Sequence, residues 1–402
     1  MSRIERAAIR KILDSRGNAT VEVDLYSDGH LSRAAAPSGA STGAHEAQAF
    51  PKPGVDEALQ IFRKEVGPRL PGRDVGDQSG LDRLLREIDG TPGFSRIGGN
   101  VAVAVSLANA KAAAASAGKS LFRFLGGPGS KVLPFPFGNV IGGGRHAVGG
   151  TTIQEFLVVA QSASPLANVT ANARVHRVVR DALVKRFPTE PLGRGDEGAW
   201  IAKLGDEEAL GLLADVCRGV ESEVGFPVRP ALDLAASEFF RDGRYHYRDA
   251  TLSPEKQIDF LERIIRDYGL FSVEDPFDQD DFGSFARLTQ AVGGRCKVIG
   301  DDLFVTSVDR LRKGIGLKAG NAILIKPNQI GTLSETRAAV DTAHAAGYAT
   351  VVSHRSGETT DETIAHLAVA FGSLGIKTGT VGGERTAKLN ELIRIEEELG
   401  GT

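Results

Sequence analysis

Cysteine is almost missing from this chain. Cys217 and Cys296 are its only two, too few for a disulfide framework or for a zinc site built on thiolates. Two reduced cysteines are what a cytosolic protein carries. Neither charge sign dominates: 48 Lys and Arg stand against 51 Asp and Glu, and the basic residues are spread along the sequence. That argues against a dedicated nucleic-acid or membrane-surface binder. No long apolar run is present either. The most apolar stretch, Val101–Ala117, is Ala-rich and interrupted by Asn109 and Lys111, too short and too polar to span a bilayer; it reads as a buried helix. The start, MSRIERAAIRKILDSRG, is charged and has no apolar core of a signal peptide. Tandem repeats and low-complexity tracts are absent. Gly142-Gly143-Gly144-Arg145-His146 looks like a phosphate loop but lacks the Gly-Lys-Ser/Thr ending of a nucleotide P-loop. These exclusions leave a cytoplasmic protein with no membrane or nucleic-acid partner expected.

What is present is a pattern of strands ending on reactive side chains. Val228–Asp233, Phe271–Asp275, Val298–Asp302, Ile323–Lys326, Thr350–His354 and Ile376–Lys377 read as strands, with helix-patterned sequence between most of them. Their spacing of about 25 residues suits a βα barrel, whose parallel strands gather their carboxyl ends on one face. Earlier in the chain, Thr20–Tyr26 and Leu31–Pro37 read as paired strands, followed by helices over Leu81–Ile88 and Asn100–Ala117. This describes an α+β cap over residues 1–130 and a barrel over residues 131–402, divided near Gly126-Gly127-Pro128-Gly129-Ser130. The small-residue run Ser38–Ala44 reads as an ordinary loop or as a lid that closes over a ligand.

Asp233, Glu274 and Asp301 end three consecutive strands. A lone aspartate at a strand end is commonly a helix cap, but three successive acids repel one another unless a cation neutralises them. An all-oxygen set suits Mg²⁺ or Mn²⁺ better than zinc. Lys326, in ILIKPNQIG, and Lys377, in GIKTG, end two further strands. A solvated lysine is the plain reading; a desolvated lysine near a metal would have a lowered pKa and could act as a base. The run His354-Arg355-Ser356 offers a planar guanidinium and a hydroxyl suited to phosphate. Glu197, in the turn Gly195-Asp196-Glu197-Gly198, is a candidate general acid.

Taken together, DSRGN at residues 14–18, SGASTG at 38–43, QEF at 154–156, GDEG at 195–198, SEF at 237–239, VEDPF at 273–277, GDDL at 300–303, KPNQIGTL at 326–333, SHRSGET at 353–359, IKTG at 376–379 and LIRIEEEL at 392–399 resemble the enolase (phosphopyruvate hydratase) family, in family order over almost the whole chain. The resemblance implies a cap and a TIM-like barrel that opens ββαα. It implies reversible dehydration of 2-phosphoglycerate to phosphoenolpyruvate with Mg²⁺ at two sites, the second filled with substrate. Residue by residue, it makes Lys326 the C2 base and Glu197 the group assisting loss of the C3 hydroxyl. It makes Asp233, Glu274 and Asp301 the first metal's ligands and Ser41 a residue for the second metal. Arg355 and Ser356 become phosphate binders, Lys377 a second lysine near the carboxylate, and His146, Gln154, Glu155 and His354 substrate-contacting or proton-network residues. A homodimer or larger homo-oligomer is implied, with Arg16 and Glu22 facing Glu397 and Arg394 across it. The chain departs from the family's common residues at Ala19, Gly142, Val148 and Ala199-Trp200, near two of these loops. Two other readings stand beside it. One is another member of the wider superfamily, such as an acid-sugar dehydratase or racemase, which usually lacks the Arg-Ser run and the SGASTG loop. The other is a scaffold that keeps the fold without the activity, which loss of Lys326, Glu197 or a metal carboxylate would signal.

Overall fold

The computed structural model describes residues 2–39, 43–127, 131–147 and 149–400. Its first unit is a three-stranded antiparallel sheet of β1 (Ile4–Leu13), β2 (Ala19–Ser27) and β3 (His30–Ala35), in that order. The central strand β2 is buried along most of its length, with Val21, Val23 and Leu25 in the core. Helix α1 (Gln78–Asp89) packs against α2 (Gly99–Ser116), which lies on β2 and β3. Helix α1 is amphipathic, is capped at its start by Asp77 and ends at Gly90 in the left-handed conformation. Helix α2 is buried on nearly every side. Its alanines let the sheet and neighbouring helices approach closely, which explains an apolar helix with no amphipathic face. Strand β1 is absent from the sequence reading. Its charged residues Glu5, Arg6, Arg10 and Lys11 face outward or lie at the rim and mask the alternation.

The second unit is a closed barrel of eight strands: β4 (Phe135–Gly142), β5 (Glu155–Ala160), β6 (Val228–Asp233), β7 (Ser272–Glu274), β8 (Lys297–Gly300), β9 (Ala322–Ile325), β10 (Ala349–Ser353) and β11 (Gly375–Lys377). Pairing of β11 with β4 closes it. Strands β6 to β11 and β4 run parallel to their neighbours, whereas β5 is antiparallel to both β4 and β6. Two helices, α3 (Pro165–Arg186) and α4 (Asp206–Val224), follow β5 before β6 begins. The opening is therefore ββαα, as the family resemblance implies. Five helices then follow β6 to β10 on the outside of the barrel: α5 (Pro254–Tyr268), α6 (Phe282–Val292), α7 (Val308–Leu317), α8 (Leu333–Ala345) and α9 (Thr363–Ala370). The last helix, α10 (Gly383–Glu398), follows β11.

Strand alternation places the chemistry. Phe137, Ala231, Ile299, Leu324 and Val351 form an inner apolar cluster, while Ile323, Ile325 and Val352 face the outer core shared with the helices. Two residues beyond each inward apolar position come Asn139, Asp233, Asp301, Lys326 and Ser353, on the same face of their strands at the barrel mouth. Strand β5 runs the other way, so its first residue lies at that mouth: Glu155 pairs in register with Asp233.

Candidate active site

Nine chain segments meet in a cavity of about 30 Å³ lined by His146, Gln154, Glu155, Glu197, Asp233, Asp301, Lys326, His354, Arg355, Ser356 and Lys377, with Gly39 and Ser353. A larger hollow, about 580 Å³, lies between β1 and the 358–362 loop. The small cavity holds the converging reactive groups; it is narrow because lysine side chains fill it. Lys377 Nζ donates to Asp233 Oδ2 at 2.8 Å and to Glu274 Oε1 and Oε2 at 2.8 and 2.9 Å. It also lies 3.5 Å from Glu155 Oε1. Lys326 Nζ is paired with Asp301 Oδ2, and Gln329 Nε2 donates to Asp301 Oδ1 at 2.9 Å. The three strand-end carboxylates are thus drawn together around two ammonium groups.

These contacts set the charges. Burial would pull the Lys377 ammonium down, but Asp233, Glu155 and Glu274 hold it well above its ordinary value. Burial likewise opposes the Lys326 ammonium, and Asp301 more than offsets it, so Lys326 is raised. The sequence reading expected a lowered lysine; the direction is opposite because a carboxylate faces it directly. Burial, then repulsion from Asp233, pushes Glu274 well up.

Asp301 belongs to a second acidic group. Asp275, Asp301 and Asp302 bring carboxylate oxygens within 4.8 Å of one another. Asp275 adopts a left-handed backbone with φ +40°, a strained setting for a non-glycine residue. Its oxygens accept from the amides of Asp301 and Asp302 at 2.9 and 2.7 Å, which fixes the bend carrying both acids. Burial and Asp301 push the Asp302 carboxyl up to about 7. The donors at this end are carboxylate oxygens; elsewhere on the cavity wall Gln154 Oε1 and Glu155 Oε2 are buried acceptors without a hydrogen-bond partner among the described residues. Oxygen-rich, acidic and crowded, the site fits a hard divalent cation.

Across the cavity sits a proton-handling group. His146, Glu155 and Glu197 also place ligand-type atoms within 4.8 Å of one another. His146 Nδ1 lies 3.5 Å from Glu155 Oε1 and 3.8 Å from Glu197 Oε1. Asn139 Nδ2 donates to Glu197 Oε2 at 3.2 Å, and His354 Nε2 lies 3.4 Å from the same oxygen. Burial, then repulsion from Glu197, raises Glu155 well above the usual carboxylate range. Burial would raise Glu197 too, but the two histidines draw it well below that range. Burial pushes His354 down to about 4. The environment thus separates the two carboxyls, Glu155 upward and Glu197 downward, beside an imidazole whose charged form is disfavoured.

The third component is a buried guanidinium. Arg355 Nη1 lies 2.9 Å from Glu46 Oε2, and its Nη2 donates to Glu46 Oε1 at 3.1 Å. Glu46, from the cap, engages this guanidinium through both of its carboxylate oxygens. The 353–361 loop is tied to the cap by reciprocal amide bonds between Ser38 and Gly357, at 2.7 and 2.8 Å.

Every site residue read from the sequence is in this cluster or touching it, with one exception: Ser41 lies outside the described residues. Sequence reasoning missed Asn139, Asp275, Gln329, Glu46 and Arg385. Asp275 and Gln329 lie within the named motifs VEDPF and KPNQIGTL, without a site role assigned to them there. Asn139 signals itself only through its parity with Phe137, and Glu46 and Arg385 only through three-dimensional contact.

Comparison with known proteins gives the same answer. Residues 4–125 match the family model "Enolase, N-terminal domain", and residues 130–402 match "Enolase, C-terminal TIM barrel domain". A protein named Enolase from Methanothermobacter thermautotrophicus is 52% identical over 402 residues, covering 98% of this chain and 97% of its own length. Enolases from Thermoplasma acidophilum and Natronomonas pharaonis are 49% and 52% identical, each covering 98% of this chain and 98% and 99% of their own lengths. With both halves matched, the barrel opening ββαα and both lysines facing the strand-end acids, the chain belongs to the enolase family.

Proposed function

We propose that Lys326 and Glu197 divide the dehydration of 2-phosphoglycerate between them, the first taking the C2 proton and the second assisting departure of the C3 hydroxyl. The chain is a lyase that interconverts 2-phosphoglycerate and phosphoenolpyruvate. The observation that carries the division of roles is the shared cavity: a lysine, a proton-bearing carboxyl network and an arginine-serine pair line one small, buried space.

The C2 hydrogen lies next to a carboxylate and is very weakly acidic. Asp233, Glu274 and Asp301 would hold a divalent cation, and such an ion supplies positive charge that offsets the negative charge built up when that hydrogen leaves. Two Mg²⁺ are proposed, with Ser41 assigned to the second by its motif. In the substrate-free chain Lys326 keeps its proton through Asp301. Were Asp301 to hold a divalent cation, Lys326 would lose that partner, and the cationic Arg355 and Lys377 nearby would favour its free amine. Such a lysine base is the arrangement generally described for the enolase superfamily. Glu155 and His146 stand beside Glu197, with His146 Nδ1 3.5 Å from Glu155 Oε1 and 3.8 Å from Glu197 Oε1, and complete the proton network around the leaving hydroxyl. Arg355 and Ser356 bind the phosphate, Gln154 and His354 contact substrate, and Lys377 faces its carboxylate.

Lys326→Ala is expected to abolish exchange of the C2 hydrogen with D₂O, whereas Glu197→Gln is expected to spare exchange and block formation of the enol phosphate, followed by absorbance with and without chelator. Equal loss of both activities in a folded Glu197→Gln protein contradicts the division of roles. Units over 1–130 and 131–402, a cytoplasmic location and a homodimer complete the proposal. Within one chain Glu22 pairs with Arg10 and Arg33, and Arg394 with Glu391. Charge reversal at Arg394 is expected to weaken self-association in sedimentation; an unchanged dissociation constant removes that residue from the interface.

A further inference from the structure

We propose that Arg385 is a positioning residue for the dehydration half of the reaction: it fixes the imidazole of His354 in the one tautomer that presents Nε2–H to Glu197. The inference rests on the roles assigned above to Glu197 and Lys326. Arg385 sits in the first turn of α10, far in sequence from either acid or lysine, and is completely buried. Its Nη1 lies 2.7 Å from His354 Nδ1 and donates at 2.7 Å to the carbonyl of Arg355. Its Nη2 donates to the carbonyl of Ser356 at 2.7 Å and to that of Asp196 at 3.4 Å. One guanidinium therefore grips the loop carrying His354, Arg355 and Ser356 and reaches the turn carrying Glu197.

The tautomer follows from donor chemistry. A guanidinium has N–H groups only and accepts nothing. His354 Nδ1 must then carry the lone pair, and in the neutral ring the hydrogen is on Nε2. That nitrogen is the one 3.4 Å from Glu197 Oε2. The two atoms are close without being aligned as a hydrogen bond; the opposite tautomer would set a lone pair beside the carboxylate oxygen with no hydrogen between them. The positive charge of Arg385 also disfavours a doubly protonated ring, which keeps His354 from competing for the proton that Glu197 delivers.

A purely structural cation would brace the loop without touching the imidazole, and the same helix supplies that comparison. Lys388, one turn on and equally buried, donates to the carbonyls of Thr359 and Glu384 at 2.7 and 3.1 Å and pairs with Glu358 at 2.8 Å. It braces the loop without touching the histidine.

The test uses the full-length protein loaded with Mg²⁺. Ring-nitrogen NMR of ¹⁵N-histidine-labelled protein is expected to show His354 with an unprotonated Nδ1. Arg385→Met is expected to lose that signature and to lower the dehydration rate at saturating substrate by roughly 10–100-fold, with C2 exchange at saturation within about 3-fold of the parent. Arg385→Lys, which keeps one donor for Nδ1, is expected to restore the tautomer and part of the rate. Lys388→Met is expected to raise KM while leaving the tautomer and the ratio of exchange to dehydration unchanged. The proposal is overturned if Arg385→Met keeps the parent tautomer or loses exchange and dehydration equally, or if Lys388→Met shifts the ratio as much. Should Arg385→Met not fold, Arg385→Lys decides: parent-like folding with a scrambled tautomer and an unaltered ratio overturns the proposal. An unmutated chain that fails to exchange the C2 hydrogen refutes the assigned roles instead, and leaves the NMR result on His354 to stand alone.

Discussion

Lys377 does a cation's work in the substrate-free site, so removing its charge should expose what the acids cost. Its ammonium makes three contacts of 2.8–2.9 Å with Asp233 and Glu274, and side-chain exposure is 4% for the lysine and 6% and 2% for the two acids. At such distances and an effective dielectric near 20, each unit-charge pair attracts by about 6 kcal/mol. Much of that only offsets desolvation, and removing one partner of a buried pair typically costs about 3–5 kcal/mol. Lys377→Met should therefore lower Tm in chelator by roughly 6–10 °C, at about 2 °C per kcal/mol for a long chain. Adding Mg²⁺ should narrow the gap, because a dication binding the folded acids stabilises them by mass action. The pH dependence has a definite sign. Glu274 is already raised by burial and by Asp233, and Lys377 is what pulls it back. Without the lysine, the folded state binds a proton that the unfolded state has released. Above the ordinary glutamate value of 4.5, the variant's stability should fall as pH rises, so its deficit is smallest in acid and grows toward neutrality. Paired melts of parent and variant from pH 4.5 to 8, with chelator or Mg²⁺, measure this. A deficit under about 1 kcal/mol near neutrality, or one indifferent to both pH and metal, refutes the reasoning.

Three other outcomes are expected. Glu46→Gln removes a charged competitor from Arg355 and should tighten inorganic phosphate binding about 5-fold, equivalent to roughly 1 kcal/mol; titration calorimetry showing equal or weaker binding contradicts it. Burial would raise Asp24, but bonds from Arg33 and Arg10 more than offset this and hold it at about 2, from an ordinary 3.8. Its contribution is full above pH 3.8 and disappears as pH falls through 2, so Asp24→Asn should lower the urea midpoint at neutral pH and flatten that acid limb; parallel curves would argue otherwise. In Gly357→Ala the new Cβ would lie 2.3 Å from Asp14 Oδ2 and 2.8 Å from the Ser38 carbonyl, which should cost about 1–3 kcal/mol. A denaturant midpoint equal to the parent's would show that the loop yields freely.

Strand ends were legible wherever an apolar run stopped abruptly at a charge: Asp233, Glu274, Asp301, Lys326 and Lys377 all stand at or within a residue of such stops. Glu155 was not legible that way. It begins its strand, and only the reversed direction of β5 carries it to the mouth; the family motif QEF was its one signal. The first strand hid behind charged residues on its outer face. Long-range contacts such as Arg385 with His354 leave no local pattern at all, since they depend on how α10 packs over a loop 30 residues earlier. The protonation of Lys326 also escaped the sequence, because its sign depends on whether Asp301 faces the ammonium or a metal.

The carboxylate that the cap lends to Arg355 has a thermodynamic corollary. A phosphate that claims this guanidinium cuts one of the ties between the cap and the barrel loop, while the Ser38–Gly357 tie survives. Linkage is reciprocal: the free energy by which an anion loosens that tether equals the free energy by which the tether weakens the anion. With Arg355 as the proposed phosphate binder, affinity for that anion becomes tunable from the cap through Glu46.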